Sequence, residues 1–426
     1  MDGTDMSLSF LETMFTRKKR VYLDNGGATP LGARAKRALL ETFHIYGNPS
    51  SIYKEGVEAS KLLETARKKI ASIINARQHE IYFTGSGTES CNLAIFGIYY
   101  AWKKENEYVK TLPHIILSSI EHPAVMEAVH YLAINSLANI TYLRVYKDGI
   151  VKVQDVKNAI TKETILVSIM YANNEIGTIQ PIKEIGRMLE EYKKAGRSKL
   201  DAGSNDDSRS ESSASNYPLF HTDACQAGNY LNLDVFRLKV DMMTLNSSKV
   251  YGPKGIAVLY KKEGVAISPV TFGGGQERGL RSGTEDVASI CAFAEALTEA
   301  QELREYESTR LQSLRDSFKE KLQKQLPQAV FYGSFDKRLA NNINCRVPGM
   351  SSEEMILRLD AKGFAVSHKS ACASQVDDSS YVIKALGATD TEAKENIRVT
   401  LGRSTTQEDL ERLVDEIEKI VKKYSN

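Results

Sequence analysis

A lysine delivered by a strand into a polar, glycine-bounded turn can hold an amine where a carbonyl ligand reaches it. Asp241 to Gly255, DMMTLNSSKVYGPKG, has that form. The apolar run Met242, Met243 and Leu245 stops at Asn246, Ser247 and Ser248; Lys249 follows, and Tyr251-Gly252-Pro253-Lys254-Gly255 then turns the chain. Lysine amines condense with carbonyl ligands once burial or neighbouring cations lower their pKa. Alone, the stretch reads first as a surface lysine in a turn, so its company elsewhere decides.

Three further stretches bear on it. Gly85-Ser86-Gly87-Thr88 opens a helix, where backbone N–H groups and the helix dipole can hold a phosphate. It is neither a Walker A loop nor a complete GxGxxG, and by itself it is weak. Asp223 ends an expected strand, Tyr217 to Thr222, with Gln226 three residues on; such a carboxylate pairs with a protonated pyridine nitrogen or caps a helix. His122 follows a strand and can stack on a ring, move protons or serve structure alone. A phosphate cradle, a carboxylate for a pyridinium, an imidazole and an amine are together what pyridoxal 5'-phosphate (PLP) requires. Cys372 adds a thiol in the polar loop Ser367 to Ser379, with His368 and Lys369 close by, a setting that favours thiolate. Cys225, two residues from Asp223, reads as a packing cysteine.

Positioning such groups takes an α/β framework. Strands are expected at Arg20–Asp24, Ile81–Thr84, Ile115–Ser118, Ile165–Met170, Tyr217–Thr222 and Ile256–Tyr260, alternating with helices such as Leu31–Phe43 and Ile182–Tyr192. That alternation predicts a mostly parallel central sheet flanked by helices, with ligands beyond the C-terminal strand ends. Each polar motif falls just after a strand. Residues 196–216, rich in serine and free of aromatics, are expected to be a disordered insertion. A long charged helix from Asp286 to Leu322 leads to a smaller α+β unit, with strands near Phe331 and at Ile343–Val347 and helices at Ser352–Asp360 and Gln407–Lys423. The expected organisation is 1–30 packing with the small domain, 31–300 as the large domain, and 301–426 as the small domain carrying the Cys372 loop.

Composition narrows the rest. With 426 residues, 42% hydrophobic and 26% charged, the chain is long enough for two domains and a sizeable core. A net charge of +2 argues against nucleic acid as the main partner. Five scattered cysteines without a CxxC pair predict no metal site and a reducing compartment. No apolar run is long enough to span a membrane, and the first twenty residues make a poor signal or transit peptide, so the expected location is cytoplasmic.

The motifs GNPSS (47–51), FTGSGTESCNLAI (83–95), EHPAV (121–125), NNEIG (173–177), HTDACQAG (221–228), YGPKG (251–255), GGGQERGLRSGT (273–284), SACAS (370–374) and IRVTLGR (397–403) occur in order. Over roughly Val21 to Lys423 the chain resembles the class I cysteine desulfurases (NifS/IscS type), fold-type I PLP enzymes of the aminotransferase class V family. The resemblance implies PLP on Lys249, Asp223 at the pyridine nitrogen, Gln226 at the phenolic oxygen and His122 over the ring. It implies phosphate contacts from Gly87, Thr88 and Ser248, and Thr284 reaching the neighbouring subunit's phosphate in a homodimer. Asn174 and Arg398 would hold the carboxylate of L-cysteine. Cys372 would take its sulfur as a persulfide, releasing L-alanine, for a sulfur acceptor that is an Fe–S scaffold or a sulfur carrier. The chain departs from the family at Ser248, where histidine is usual, at Asn246, where a phosphate-binding serine is more usual, and at Gly27 and Tyr53. Alternatives are a selenocysteine lyase, which Tyr53 also resembles, an aminotransferase, which would not need Cys372, and a non-catalytic platform binding sulfur carriers.

Overall fold

Short runs of aliphatic and β-branched residues, apolar on both sides, form strands that must be covered on both faces. The computed structural model describes residues 20–201, 217–368 and 379–424. Its strands are β1 (Val21–Tyr22), β2 (Ile81–Thr84), β3 (His114–Ser118), β4 (Asn139–Leu143), β5 (Thr164–Ser168), β6 (Leu219–Asp223), β7 (Met242–Asn246), β8 (Ala257–Lys261), β9 (Val330–Phe331), β10 (Asn342–Arg346), β11 (Phe364–Ala365) and β12 (Asn396–Thr400). Seven of them make a central sheet in the order β2-β8-β7-β6-β5-β3-β4. Only β8 runs antiparallel to its neighbours.

Every residue of β2, β3, β5 and β6 is buried. Alternation decides which face each serves. Ile81 and Phe83 join a core formed with Ala66 and Ile70 of the helix Lys54–Ile73 and Phe293 of the helix Val287–Glu302. Tyr82, between them, joins the opposite core, with Ile95 of the helix Gly87–Glu105 and Val125 of the helix Pro123–Ile134. A third core holds the antiparallel sheet β12-β10-β9 and the parallel pair β1-β11. The helix Gln407–Tyr424 covers it through Leu410, Leu413, Val414, Ile417 and Val421, one apolar stripe at helical spacing.

Three expectations change. The helix beginning at Ile182 runs to Asp201, so 196–201 are helical where a disordered insertion is expected; 202–216 lie outside the described residues. The charged helix is two, Val287–Glu302 and Arg304–Gln325, meeting at Leu303. Edge strand β4 is absent from the sequence reading, because NITYL is largely solvated and carries neither a long apolar run nor a clean alternation. No helix among the described residues is long and apolar enough to cross a membrane.

One buried ion pair fixes the glycine-rich segment against the central sheet. Arg67 donates through both terminal nitrogens to Glu277 at 2.7 and 2.8 Å, and Phe83 N donates to the same carboxylate at 2.8 Å. The two side chains are only 3% and 1% exposed. Removing Glu277 leaves the buried guanidinium with a single carboxylate, the partly exposed Glu64 at 3.0 Å from its Nε, and strips both terminal nitrogens of theirs. Glu277→Gln is therefore expected to lower stability by about 3 kcal/mol or more, measured by urea unfolding. A loss under about 1 kcal/mol, the range of an exposed pair, would show that Glu64 or solvent compensates Arg67.

Candidate active site

The turn after β7 is built by side chains. Asn246 caps the single 3-10 turn Ser247–Lys249, its Oδ1 accepting from Ser248 N and Ser248 Oγ at 3.1 Å each. Asn229 Nδ2 donates to Lys249 O at 2.6 Å. So held, Lys249 directs Nζ to the carbonyls of Gly26, at 2.9 Å, and Gly27. Gln226 Nε2 reaches the same Gly26 carbonyl at 2.9 Å.

Asp223 ends β6 and accepts from Cys225 N at 2.9 Å, an Asx turn rather than a helix cap. His122 N-caps the helix Pro123–Ile134, Nδ1 accepting from Ala124 N at 3.1 Å. A neutral ring in that pose carries its proton on Nε2. Burial lowers the His122 pKa; the Asp223 charge opposes this, while Lys249 and Arg398 add to it. Gly87 and Thr88 begin a helix whose cap, Ser86 Oγ, accepts from Glu89 N at 3.1 Å.

Arg398, on β12, is 1% exposed and donates to Asn174 O at 2.9 Å and to Asp24 Oδ1 at 2.7 Å. Its Nε and the buried Asn174 Oδ1 have no hydrogen-bond partner among the described residues. The Asp24 carboxylate also explains Gly27: a Cβ there would stand 2.4 Å from Asp24 Oδ2.

The fold brings Gly87, Thr88, His122, Asn174, Asp223, Gln226, Lys249 and Arg398 to the lining of one cleft. These are sequence-selected residues from both sheets. Ser248 does not line it, its hydroxyl being engaged with Asn246. Thr284 lines a separate depression with Gly85 and Arg281. Cys372 lies outside the described residues, but both stems of its loop are described. Ser367 pairs with Arg398 through two backbone hydrogen bonds, Ser380 Oγ donates to Glu175, and Tyr381 OH donates to the Glu121 carbonyl. Cys225 also lines the cleft, and burial pushes its thiol well above the ordinary range, which keeps it protonated.

Sequence reasoning missed Asp24, Asn246 and Glu121. Asp24 was read only as the end of a strand. Asn246 stood out only as a departure, with no role. Glu121 sits in a quoted motif, yet nothing in the sequence says that it is fully buried. Its Oε1 accepts from Ser118 Oγ at 2.6 Å and Met170 N at 2.9 Å, while Oε2 has no hydrogen-bond partner among the described residues. Burial, helped by the Asp223 charge, pushes this carboxyl up to about 8 against those two hydrogen bonds.

The aminotransferase class-V family matches residues 21–196 and 212–413. A cysteine desulfurase IscS of Clostridium botulinum (strain Kyoto / Type A2) is 37% identical over 407 residues, 95% of each chain. One from Methanosarcina thermophila is 39% identical over 416 residues, 97% of this chain and 95% of its own. Among solved structures, a NifS-like protein superposes with TM-score 0.82 at 30% identity, covering 95% of this chain and 99% of that one. SspA in complex with cysteine gives TM-score 0.71 at 30% identity, covering 89% and 98%.

Glu121 yields a pH prediction. A carboxyl whose folded pKa is raised favours its neutral form, so its contribution is complete below about 4.5 and is lost as pH rises through about 8. The isosteric neutral variant Glu121→Gln should lack that loss. Urea unfolding of the wild type should weaken relative to Glu121→Gln across this window, by up to about 1.4 kcal/mol per pH unit. Parallel stability curves would mean that Glu121 is ionised in the fold.

Proposed function

The chain belongs to the aminotransferase class-V family, among the cysteine desulfurases, and from that premise we infer how its cleft divides the work of taking sulfur from L-cysteine. The reading rests on one observation: Lys249, Asp223, His122 and Arg398, drawn from strands far apart in sequence, line a single cleft at the C-terminal edge of the parallel sheet.

The residues fit PLP. Lys249 is the amine that would hold it, Asp223 the carboxylate for its ring nitrogen, Gln226 the donor for its phenolic oxygen, and the helix beginning at Gly87-Thr88 the anchor for its phosphate. The room for it is kept by glycine: a Cβ on Gly87 would lie 3.1 Å from Cys225 Sγ. When bound, PLP supplies a carbonyl that condenses with an amine and a ring that withdraws electrons from the substrate's Cα.

The remaining duties fall to the protein. Arg398, whose Nε is an unpaired donor, would hold the carboxylate of L-cysteine, with Asn174 beside it as the second residue of that pocket. His122, kept neutral by burial, carries its proton on Nε2 while Nδ1 accepts from Ala124 N, so in this pose it offers a hydrogen-bond donor, and taking up a proton requires the ring to leave that cap. Cys372 is the second nucleophile: its sulfur attacks the substrate's sulfur, the C–S bond breaks, and L-cysteine and the Cys372 thiol become L-alanine and a Cys372 persulfide. The persulfide then passes to an acceptor protein, an iron–sulfur scaffold or a carrier for thio-modification.

Two settings complete the reading. Leu40, Phe43, Tyr46, Ile52 and Val57 are exposed along a short stretch of chain, which supports a homodimer with Thr284 facing the second subunit. Free thiols at Cys91, Cys225, Cys291 and Cys345 support a reducing, cytoplasmic setting.

The reaction and its division of labour are tested together, with PLP and L-cysteine supplied and alanine and persulfide measured. Cys372→Ser should bind PLP as the wild type does and lose both products by about a hundredfold or more, since the hydroxyl does not ionise near neutrality. Lys249→Ala should lose turnover and leave bound PLP releasable without reduction. Cys291→Ser, a thiol on the helix Val287–Glu302, should keep full activity. Normal alanine formation by Cys372→Ser would sink the mechanism.

A further inference from the structure

Beneath the cleft a row of side-chain hydrogen bonds crosses the central sheet. His221 Nδ1 pairs with Ser168 Oγ of β5 at 2.9 Å, and its Nε2 with Thr244 Oγ1 of β7 at 3.0 Å. One imidazole thus spans the strands on either side of its own. Those strands stand about 10 Å apart, and a rigid ring with a nitrogen on each side bonds both hydroxyls only while the three keep their register. Asp223 and Thr244 are register partners, and His221 lies two residues before Asp223 on the same face of the sheet. From Thr244 the row continues to the covering helix: Cys91 Sγ donates to Thr244 Oγ1 at 3.6 Å, one turn after Gly87-Thr88. The preceding residue adds a second tie, Ser90 Oγ lying 2.6 Å from Thr84 Oγ1 of β2. Ser168, His221, Thr244 and Cys91 are wholly buried, and none of them lines the cleft.

We propose that His221 is a positioning residue whose row, Ser168–His221–Thr244–Cys91, sets the separation between Asp223 and the helix N-terminus at Gly87-Thr88. The inference rests on reading the cleft as a PLP site, and deepens it. PLP carries a pyridine nitrogen and a phosphate on one small molecule, so it is held at both only if the carboxylate and the helix stand at the matching distance. Hydrogen bonds of set length and direction, satisfied inside the core, specify one such arrangement. The row stands outside the cleft lining, so its duty is distinct from the contacts that Asp223 and Gly87-Thr88 would make.

The test uses the full chain, freed of cofactor and equilibrated by dialysis against PLP, or against pyridoxal together with inorganic phosphate, the same two groups unlinked. A spacing device affects the linked ligand only. Thr244→Val keeps the branched shape and removes the hydroxyl that His221 and Cys91 share. It should bind PLP about tenfold more weakly or worse, and bind pyridoxal and phosphate each within about twofold of wild type. His221→Leu should do the same, Thr244→Ser should restore PLP affinity, and the two losses should not add in the double variant. Urea unfolding without ligand checks that each variant is folded, and Thr244→Val carries the test should His221→Leu not fold. A Thr244→Val chain that binds PLP like wild type overturns the proposal. So does one that loses pyridoxal or phosphate as strongly as PLP, which would make the row a support of one end, or of the fold, alone. Additive losses overturn it too, since the two residues would then act separately. Failure of the wild type to bind PLP removes the cofactor reading itself, a result distinct from wild-type binding with an indifferent Thr244.

Discussion

The loop Asp24–Thr29 is hydrogen-bonded to two separately built sheets at once, and the cleft depends on that double attachment. On the side of β12, Asn25 Nδ2 donates to Thr400 O at 2.9 Å, Gly26 N donates to Thr400 Oγ1 at 2.8 Å, and Asp24 pairs with Arg398. On the side of β7, Thr29 donates through N and Oγ1 to Ser248 O, and Gly26 and Gly27 offer their carbonyls to Lys249. The amine of the large sheet and the guanidinium of the small one are thus set against each other by six residues of backbone. The cost is steric: a Cβ at residue 27 would stand 2.4 Å from Asp24 Oδ2, so a side chain there would have to displace the carboxylate that pairs with Arg398.

Burial also selects protonation states. It lowers His122 and raises Glu121 and Cys225, in each case favouring the neutral form. Beneath them His221 is fully buried between Ser168 Oγ at 2.9 Å and Thr244 Oγ1 at 3.0 Å, and burial takes its pKa to about 4. The residues around Asp223 are therefore neutral dipoles and thiols, apart from Lys249 and Arg398. In low-dielectric surroundings a carboxylate's interaction with a ligand cation is stronger where few competing charges stand by. A neutral Glu121 spares Asp223 a second carboxylate's repulsion.

Local signals made most of the framework legible. Strand-helix alternation placed the central sheet, and the rule that ligands gather beyond strand ends put Gly87, His122, Asn174, Asp223 and Lys249 on one edge. What escaped depends on partners far away in sequence. Asp24 acquires meaning only from Arg398, and Glu121 only from the layers that bury it. Asn246 looked like a departure because what it does, capping the turn Ser247–Lys249, shows only in the hydrogen bonds it accepts from Ser248 in space. The helix from Ile182 outran its expected end because good helix formers, Lys199 and Leu200, follow Gly196 and let the turns continue to Asp201.

The same logic bears on the two stems that flank residues 369–378. The stem before the Cys372 loop, Ser367, shares two backbone hydrogen bonds with Arg398. The stem after it is tied by Ser380 to Glu175, next to Asn174, and by Tyr381 to Glu121, next to His122. Both ends of the loop are therefore anchored on backbone that also carries cleft residues, rather than on an independent surface. A displacement of the Arg398 backbone must either move Ser367 or break two hydrogen bonds, and the second course is resisted because buried N–H and C=O groups left unpaired are costly. The two described stems, Ser367 on one side and Ser380 and Tyr381 on the other, are in this way tied to residues beside the cleft.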